Sequence, residues 1–319
     1  MTPALSAQQC SIIDGNCMNN YEIIYDYAQK NGCLAYYDEP LSKHTSFKIG
    51  GSAPLFVIPQ SDEALAALLC ECRSRGVRTF ILGNGSNLLV SDDGIDAVVI
   101  FMCRENAEIT KISDNKIKAD AGVSLMKVCR FALGESLSGL EFAFGIPGSV
   151  GGALFMNAGA YGGEIKDVVV EAECLTPDGE IVTLTNEQMQ FGYRTSVFNK
   201  NGYIVLSAVF EMKKEDPQLI KAAMDDFLNR RKTKQPLEYP SAGSVFKRPE
   251  GYFAGALIQD CGLKGKTIGG AQVSEKHSGF IINIGGATAK DVTDLVDFVR
   301  DTVLREKGVE LEPEIRITY

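Results

Sequence analysis

The chain has 319 residues, 45% of them hydrophobic and 23% charged, with a net charge of −9. That length predicts two or three domains at about 100–200 residues each, and a large buried core. The acidic balance argues against broad nucleic-acid binding, and no apolar run approaches the roughly 20 residues that span a bilayer.

Nine cysteines are scattered without a C-x-x-C pair, and the two histidines, His44 and His277, lie near no cysteine cluster. The pattern predicts small buried hydrophobes in a reducing compartment and argues against a structural zinc site. The first residues lack the charged start and apolar centre of a signal peptide. A cytoplasmic protein is expected.

Residues 1–40 read as a polar N-terminal extension with a helical hint at 22–30 and a partly mobile start. A turn over 44–51 precedes a strand at 55–58. His44 reads as a turn residue, having no evident Ser, Cys or metal partner. Ser61 then caps a helix: Asp62 and Glu63 suit its positive end, Leu65, Leu68, Leu69 and Cys72 form its buried stripe, and Gly76 ends it.

A strand at 78–82 enters the loop Gly83-Asn84-Gly85-Ser86-Asn87, and the run 88–90 leaves it as a strand. Leu88 stands where a dinucleotide fingerprint has its third glycine, and no Gly-Lys-Ser/Thr follows as in a P-loop. An anion here would be held by loop amides and by the Ser86 and Asn87 side chains. A strand at 97–101, a hairpin over 107–120 about an Asp114-Asn115 turn and a helix over 124–133 follow.

The densest signal is residues 142–163, with Gly145, Gly148, Gly151, Gly152, Gly159, Gly162 and Gly163 among apolar neighbours. A flexible linker would lack those apolar residues. The stretch reads either as tight turns in a β-rich core or as backbone closely approaching a ligand. In the second case Gly148-Ser149-Val150-Gly151-Gly152 could turn several amides towards one anion.

Strands at 168–175 and 181–184 make another hairpin about the turn Pro177-Asp-Gly179, and a strand at 203–212 completes an α+β pattern with many antiparallel strands. Asp216-Pro217 starts a helix that ends in a basic run at Lys234, and this shift reads as a domain boundary. A proline-containing loop over 239–249 surrounds Ser244. A strand at 280–284, a helix over 289–307 stopped by Gly308, and a terminal strand over 311–317 follow. The expected domains are an extension (1–40), a larger domain (41–214) and a smaller C-terminal domain (215–319) whose terminal strand returns to the active site.

Taken singly, the polar candidates have bland readings. Arg194 is a loop charge unless it clamps an anion. Ser244 lacks a His–Asp partner and the G-x-S-x-G flanks of a nucleophile. Glu314 and Arg316 read as an edge-strand pair, and Lys234 as a solvated helix end.

In sequence order, however, Gly83-Asn-Gly-Ser-Asn-Leu-Leu89, Gly145-Ile-Pro-Gly-Ser-Val-Gly-Gly-Ala153, Met156-Asn-Ala-Gly-Ala-Tyr-Gly162, Tyr193-Arg-Thr-Ser196, Ala242-Gly-Ser-Val-Phe-Lys-Arg-Pro249 and Leu311-Glu-Pro-Glu-Ile-Arg316 form a specific set. Together they resemble the UDP-N-acetylenolpyruvoylglucosamine reductase family, over about residues 45–317.

The resemblance implies a two-lobed FAD-binding domain of the vanillyl-alcohol-oxidase-like type and a smaller α+β domain that closes over a UDP-sugar. It implies non-covalent FAD, NADPH as co-substrate and UDP-N-acetylglucosamine enolpyruvate as substrate, in peptidoglycan synthesis. By the family pattern Gly83, Asn84, Gly85, Ser86, Asn87, Gly145, Gly148, Ser149, Gly151 and Gly152 would hold the cofactor. Arg194 and Glu314 would polarise the substrate carboxyl group, and Ser244 would protonate carbon. Lys234, Arg248 and Gln272 would bind substrate; Arg248 stands where some relatives have asparagine. No insertion is evident between Gly163 and Arg194, which implies the class lacking an extra tyrosine-bearing loop. A monomer is expected. Another flavin oxidoreductase on the same fold, or a non-catalytic sugar-nucleotide binder, remains the alternative.

Overall fold

The computed structural model describes residues 19–319; the first part of the N-terminal extension lies outside the described residues. The first lobe contains α1 (Asn20–Lys30), β1 (Cys33–Pro40), β2 (Ser52–Pro59), α2 (Asp62–Ser74), β3 (Thr79–Leu82), β4 (Leu88–Val90) and β5 (Val98–Phe101). Its sheet runs β1-β2-β5-β3, with β1 antiparallel to β2, and with β2 and β3 both parallel to β5.

Residues 19–40 are therefore part of this lobe rather than a separate extension. Asn19 caps α1 while Glu22 bonds back to the Asn19 amide, and Ile24 and Ala28 join Cys33 and Ala35 in the core. Strand β1 buries only Cys33 and Ala35 and turns Tyr36 and Tyr37 outward, so its alternation is weak in the sequence. His44 is a turn residue, its ring stacked 4.3 Å from Phe56 and its Nε2 2.8 Å from Glu39.

The second lobe contains β6 (Ile109–Lys111), β7 (Lys116–Asp120), α3 (Leu125–Gly134), β8 (Leu137–Ser138), α4 (Val150–Met156), β9 (Gly159–Ala160), β10 (Gly163–Glu164), β11 (Val169–Leu175), β12 (Ile181–Thr185), α5 (Phe198–Asn201), β13 (Ile204–Glu211) and β14 (Lys213–Lys214). Its main sheet, β12-β11-β13-β7-β6, is antiparallel throughout. The two expected hairpins, β6–β7 and β11–β12, both form.

Part of the glycine stretch is helical. Ser149 caps α4 by accepting from the Gly152 amide, and Asn157 closes it in the left-handed region. Two glycines in seven residues give the segment a poor helical propensity, of about 1 kcal/mol each relative to alanine. Tertiary packing of Val150, Ala153 and Leu154 overrides it.

The C-terminal part contains α6 (Pro217–Lys234), α7 (Ala254–Asp260), the antiparallel sheet β15 (Thr267–Ile268), β16 (Ala271–Val273) and β17 (Ile281–Asn283), then α8 (Ala289–Lys307) and β18 (Arg316–Thr318). Helix α6, grouped from sequence with this part, buries Ile220 and Met224 in the second lobe's core. The capping signal at Asp216-Pro217 marks where a helix starts, not which core it joins.

Helix α8 anchors the unit through Val292, Leu295, Val296, Val299 and Val303. Each such side chain contributes about 1.5–3 kcal/mol of transfer free energy, against about 1 kcal/mol for its Thr288 cap. The stripe rather than the cap thus fixes its position.

Three contacts lock this unit to the first lobe. Strand β18 pairs in parallel with β4. Asp92 accepts from the Ala289 and Lys290 amides at the α8 N-terminus, at 2.8 and 3.2 Å, where an anion is favoured. Phe47, Ile49 and Leu89 pack into the C-terminal core itself.

Candidate active site

A cavity of about 620 Å³ opens where the two lobes and the C-terminal unit meet. All ten glycine-loop residues named above line it, as do Arg194, Ser244 and Glu314. Lys234, Arg248 and Gln272 do not line it. Lys234 ends α6 just before the lining residue Gln235. Arg248 lies over the Phe253 ring at 4.0 Å, and its amide donates to the Tyr193 hydroxyl. Gln272 lies in β16, its amide donating to Thr267 Oγ1.

The two glycine loops behave differently. In the second, the Val150 and Gly151 amides donate to the Val123 and Ala121 carbonyls at 2.8 Å, and the Gly152 amide to Ser149 Oγ. These three amides are committed to the protein, while those of Gly148 and Ser149 donate to no group among the described residues, so only the first two residues of the segment keep donors for an anion.

In the first loop, the amides of Asn84, Gly85 and Ser86 donate to no group among the described residues. The side chains of this loop are partly committed as well. Asn84 Nδ2 donates to the Pro147 carbonyl and binds the two loops together, while Asn87 Nδ2 donates to the Glu314 carbonyl at 3.1 Å. An anion at this loop therefore meets backbone amides and the Ser86 hydroxyl, without the Asn87 side chain.

Gly85 lies at φ +59, and a Cβ there would overlap the His44 carbonyl oxygen. Its missing side chain lets the loop pack on the 44–46 turn, whose Ser46 amide donates to Gly85 O at 3.1 Å.

Arg194 and Glu314 form the polar centre. Arg194 Nε stands 2.7 Å from Glu314 Oε1, a close contact in which the N–H is not aimed at the oxygen. Its Nη2 donates to the Gly159 carbonyl at 3.3 Å. Burial pushes the Glu314 carboxyl above its usual range, opposed in part by Arg194 and Lys247.

Ser244 is open to the cavity and bridges to Phe280. The Glu314 amide donates to the carbonyl of the next residue, Val245, at 2.7 Å. The 242–246 loop and the chain entering β18 are thereby held side by side, which places the serine and the glutamate at one wall.

Two further arginines face the cavity. Arg231 is 6% exposed, and among the described residues it has no carboxylate partner. Its Nη2 donates to the Phe142 carbonyl, and its buried Nε has no hydrogen-bond partner. Arg316 stands over the Phe155 ring at 4.6 Å. The sequence signal for Arg231 was the basic run at the end of α6, which reads as a solvated helix end. Only its position against Gly145 and Tyr161 shows that this one member of the run is buried.

Among the described residues, the arrangement offers two arginines without a carboxylate partner, a loop of free amides and the Arg194–Glu314 pair in one cavity. Residues 235–318 match the family described as UDP-N-acetylenolpyruvoylglucosamine reductase, C-terminal domain, and residues 53–185 match the FAD binding domain family. The chain is 51% identical over 284 residues to the UDP-N-acetylenolpyruvoylglucosamine reductase of Alkaliphilus oremlandii, covering 89% of this chain and 93% of that one. The chain belongs to the UDP-N-acetylenolpyruvoylglucosamine reductase family.

It is 52% identical over 280 residues to the reductase of Clostridium perfringens, covering 88% and 91% of the two chains. The solved structure of the Thermus caldophilus reductase superposes with a TM-score of 0.75 at 34% identity, covering 90% of this chain and 99% of that one. Membership makes the chain an oxidoreductase with a flavin-binding domain, on the two-lobed α+β fold expected from its motifs. The cavity fits that cofactor: free amides and the uncompensated Arg231 charge suit its phosphates, and the apolar walls suit its rings. Among the described residues no helix is long and apolar enough to cross a membrane.

The buried cysteines act as small hydrophobes. Burial pushes the thiols of Cys72, Cys129 and Cys174 up to about 12, far from the reactive thiolate range.

Proposed function

We propose that the protein reduces the enolpyruvyl ether of UDP-N-acetylglucosamine enolpyruvate with NADPH, in peptidoglycan synthesis, and that it holds FAD non-covalently in the interlobe cavity. The observation that carries this reading is the Arg194–Glu314 pair at one wall with Ser244, facing the glycine loops. FAD in that cavity would supply hydride transfer, from NADPH to the methylene carbon of the substrate.

The chain's own groups handle the charge that follows. As hydride reaches the methylene carbon, negative charge develops at the adjacent carbon and spreads into the carboxylate. The Arg194 guanidinium is placed to receive that carboxylate and stabilise its charge. Glu314, its carboxyl raised by burial, can hold a proton next to the same group and so avoid repelling it. Ser244, open to the cavity, delivers the proton to the adjacent carbon. A hydroxyl of ordinary acidity suffices, because the acceptor is strongly basic and the donor is held in place. Lys234 and Arg248, outside the cavity wall, belong to the path of the sugar nucleotide rather than to the chemistry.

The test separates the two halves of the cycle. Ser244→Ala should leave reduction of the bound flavin by NADPH near its wild-type rate and slow reoxidation by the enolpyruvyl substrate by about 100-fold or more, as for loss of a positioned proton donor. Equal loss in both halves would remove the serine from the chemistry.

A further inference from the structure

Arg194 sits at φ +54, in the left-handed region that a non-glycine residue adopts only when its surroundings hold it there. The surroundings trace back to one buried side chain. The Gly192–Thr195 turn is closed by a Gly192 amide bond to the Thr195 carbonyl at 2.9 Å. The Gly192 carbonyl in turn accepts from Asn157 Nδ2 at 3.0 Å. The same Nδ2 donates to Glu164 Oε2 at 2.8 Å, and Asn157 Oδ1 accepts from the Lys166 amide at 3.1 Å.

Asn157 is 1% exposed and is itself left-handed, at φ +42. It closes α4, and two residues later the Gly159 carbonyl accepts from the Arg194 guanidinium. The backbone of Arg194 and its side chain are therefore both referred to the same corner of the fold.

We infer that Asn157 is a positioning residue: through the Gly192 carbonyl and the adjoining Gly159 carbonyl it sets where the Arg194 guanidinium stands relative to Glu314. Asn157 does not line the cavity, so it acts only through Arg194. The inference rests on the proposed role of Arg194 at the substrate carboxylate.

The test is a double-mutant cycle on the flavin-loaded enzyme. Asn157→Gly keeps a left-handed closure of α4 available and removes all three side-chain hydrogen bonds. Its flavin reduction by NADPH should be unchanged, while reoxidation by the enolpyruvyl sugar nucleotide should slow by about 100-fold, as for a reacting group displaced by an ångström. The Kd of that substrate for the oxidised enzyme, read from the flavin spectrum, should rise as well.

In an Arg194→Ala background the same change should cost nothing further, because the group it positions is gone. Additive losses, or equal loss in both half-reactions, would overturn the inference and leave Asn157 a packing residue. Should Asn157→Gly not hold flavin, Asn157→Asp keeps the acceptor for the Lys166 amide, loses the donors and is read in the same way. Failure of both to fold with flavin would also overturn it. If Arg194→Ala alone left reoxidation at the wild-type rate, the reading of Arg194 would fall, an outcome distinct from an additive cycle.

Discussion

Arg194 Nε lies 2.7 Å from Glu314 Oε1, although the first comes from a loop of the second lobe and the second from the segment entering the last strand. The approach depends on β18 pairing with β4, on Asn87 holding the Glu314 carbonyl, and on the Glu314 amide bonding to Val245. All three contacts cross between the first lobe and the C-terminal unit, or lie within the latter. The site exists only in the assembled chain.

Glu314→Gln should slow reoxidation by substrate and change its pH profile. Burial raises the Glu314 pKa, so its proton, and the stability of the neutral form, are fully present below the ordinary carboxyl value of about 4.3. Both are lost as pH rises through the raised folded value. Reoxidation measured against pH should fall with an inflection above that ordinary value, and the inflection should be absent in the Gln variant. A wild-type rate and profile in Glu314→Gln would remove the residue from the site.

Arg231→Met should separate stability from binding. The guanidinium is buried without a carboxylate partner among the described residues, and an uncompensated buried charge is unfavourable. Flavin-free protein should therefore melt higher in the variant, while flavin affinity falls. Thermal melts with and without FAD would read both. An unchanged flavin affinity would show that Arg231 serves the fold only.

Gly85→Val should be lost to packing before it is lost to chemistry. Its φ of +59 disfavours a β-branched residue, and a Cβ would meet the His44 carbonyl. Lowered Tm in both flavin-free and flavin-loaded protein is expected. A variant with wild-type Tm but no bound flavin would show instead that the glycine serves close ligand approach.

Elements with strong local signals were legible in the sequence. Helices α2, α3, α6 and α8 begin at their capping residues Ser61, Ser124, Asp216 and Thr288, three of which the sequence already marks. The 289–307 span of α8 follows from its apolar stripe and Gly308. The two hairpins follow from their turn residues.

Three features were not legible, for physical reasons. Helix α4 is glycine-rich, and only its caps, Ser149 and Asn157, announce it. Strand β1 carries exposed tyrosines where alternation would show a strand, because it lies at the sheet edge. The commitment of the Val150 and Gly151 amides to Val123 and Ala121 depends on chain brought in from α3's approach, which spacing cannot reveal.

The polar site shows the same limit. The family resemblance, not the residues taken singly, put Arg194, Ser244 and Glu314 in one site, and the fold brings all three to one cavity. Arg231 was hidden in a basic run whose other members are exposed. Burial of one charge among four is a tertiary fact without a local sequence signature.

The most direct test of the central claim is the visible spectrum of the purified protein, followed anaerobically as NADPH and then UDP-N-acetylglucosamine enolpyruvate are added. A flavin band should bleach with NADPH and return with the enolpyruvyl substrate. A band that bleaches and stays bleached would contradict the proposed substrate, and a protein that remains colourless after FAD is supplied would contradict the cofactor site itself.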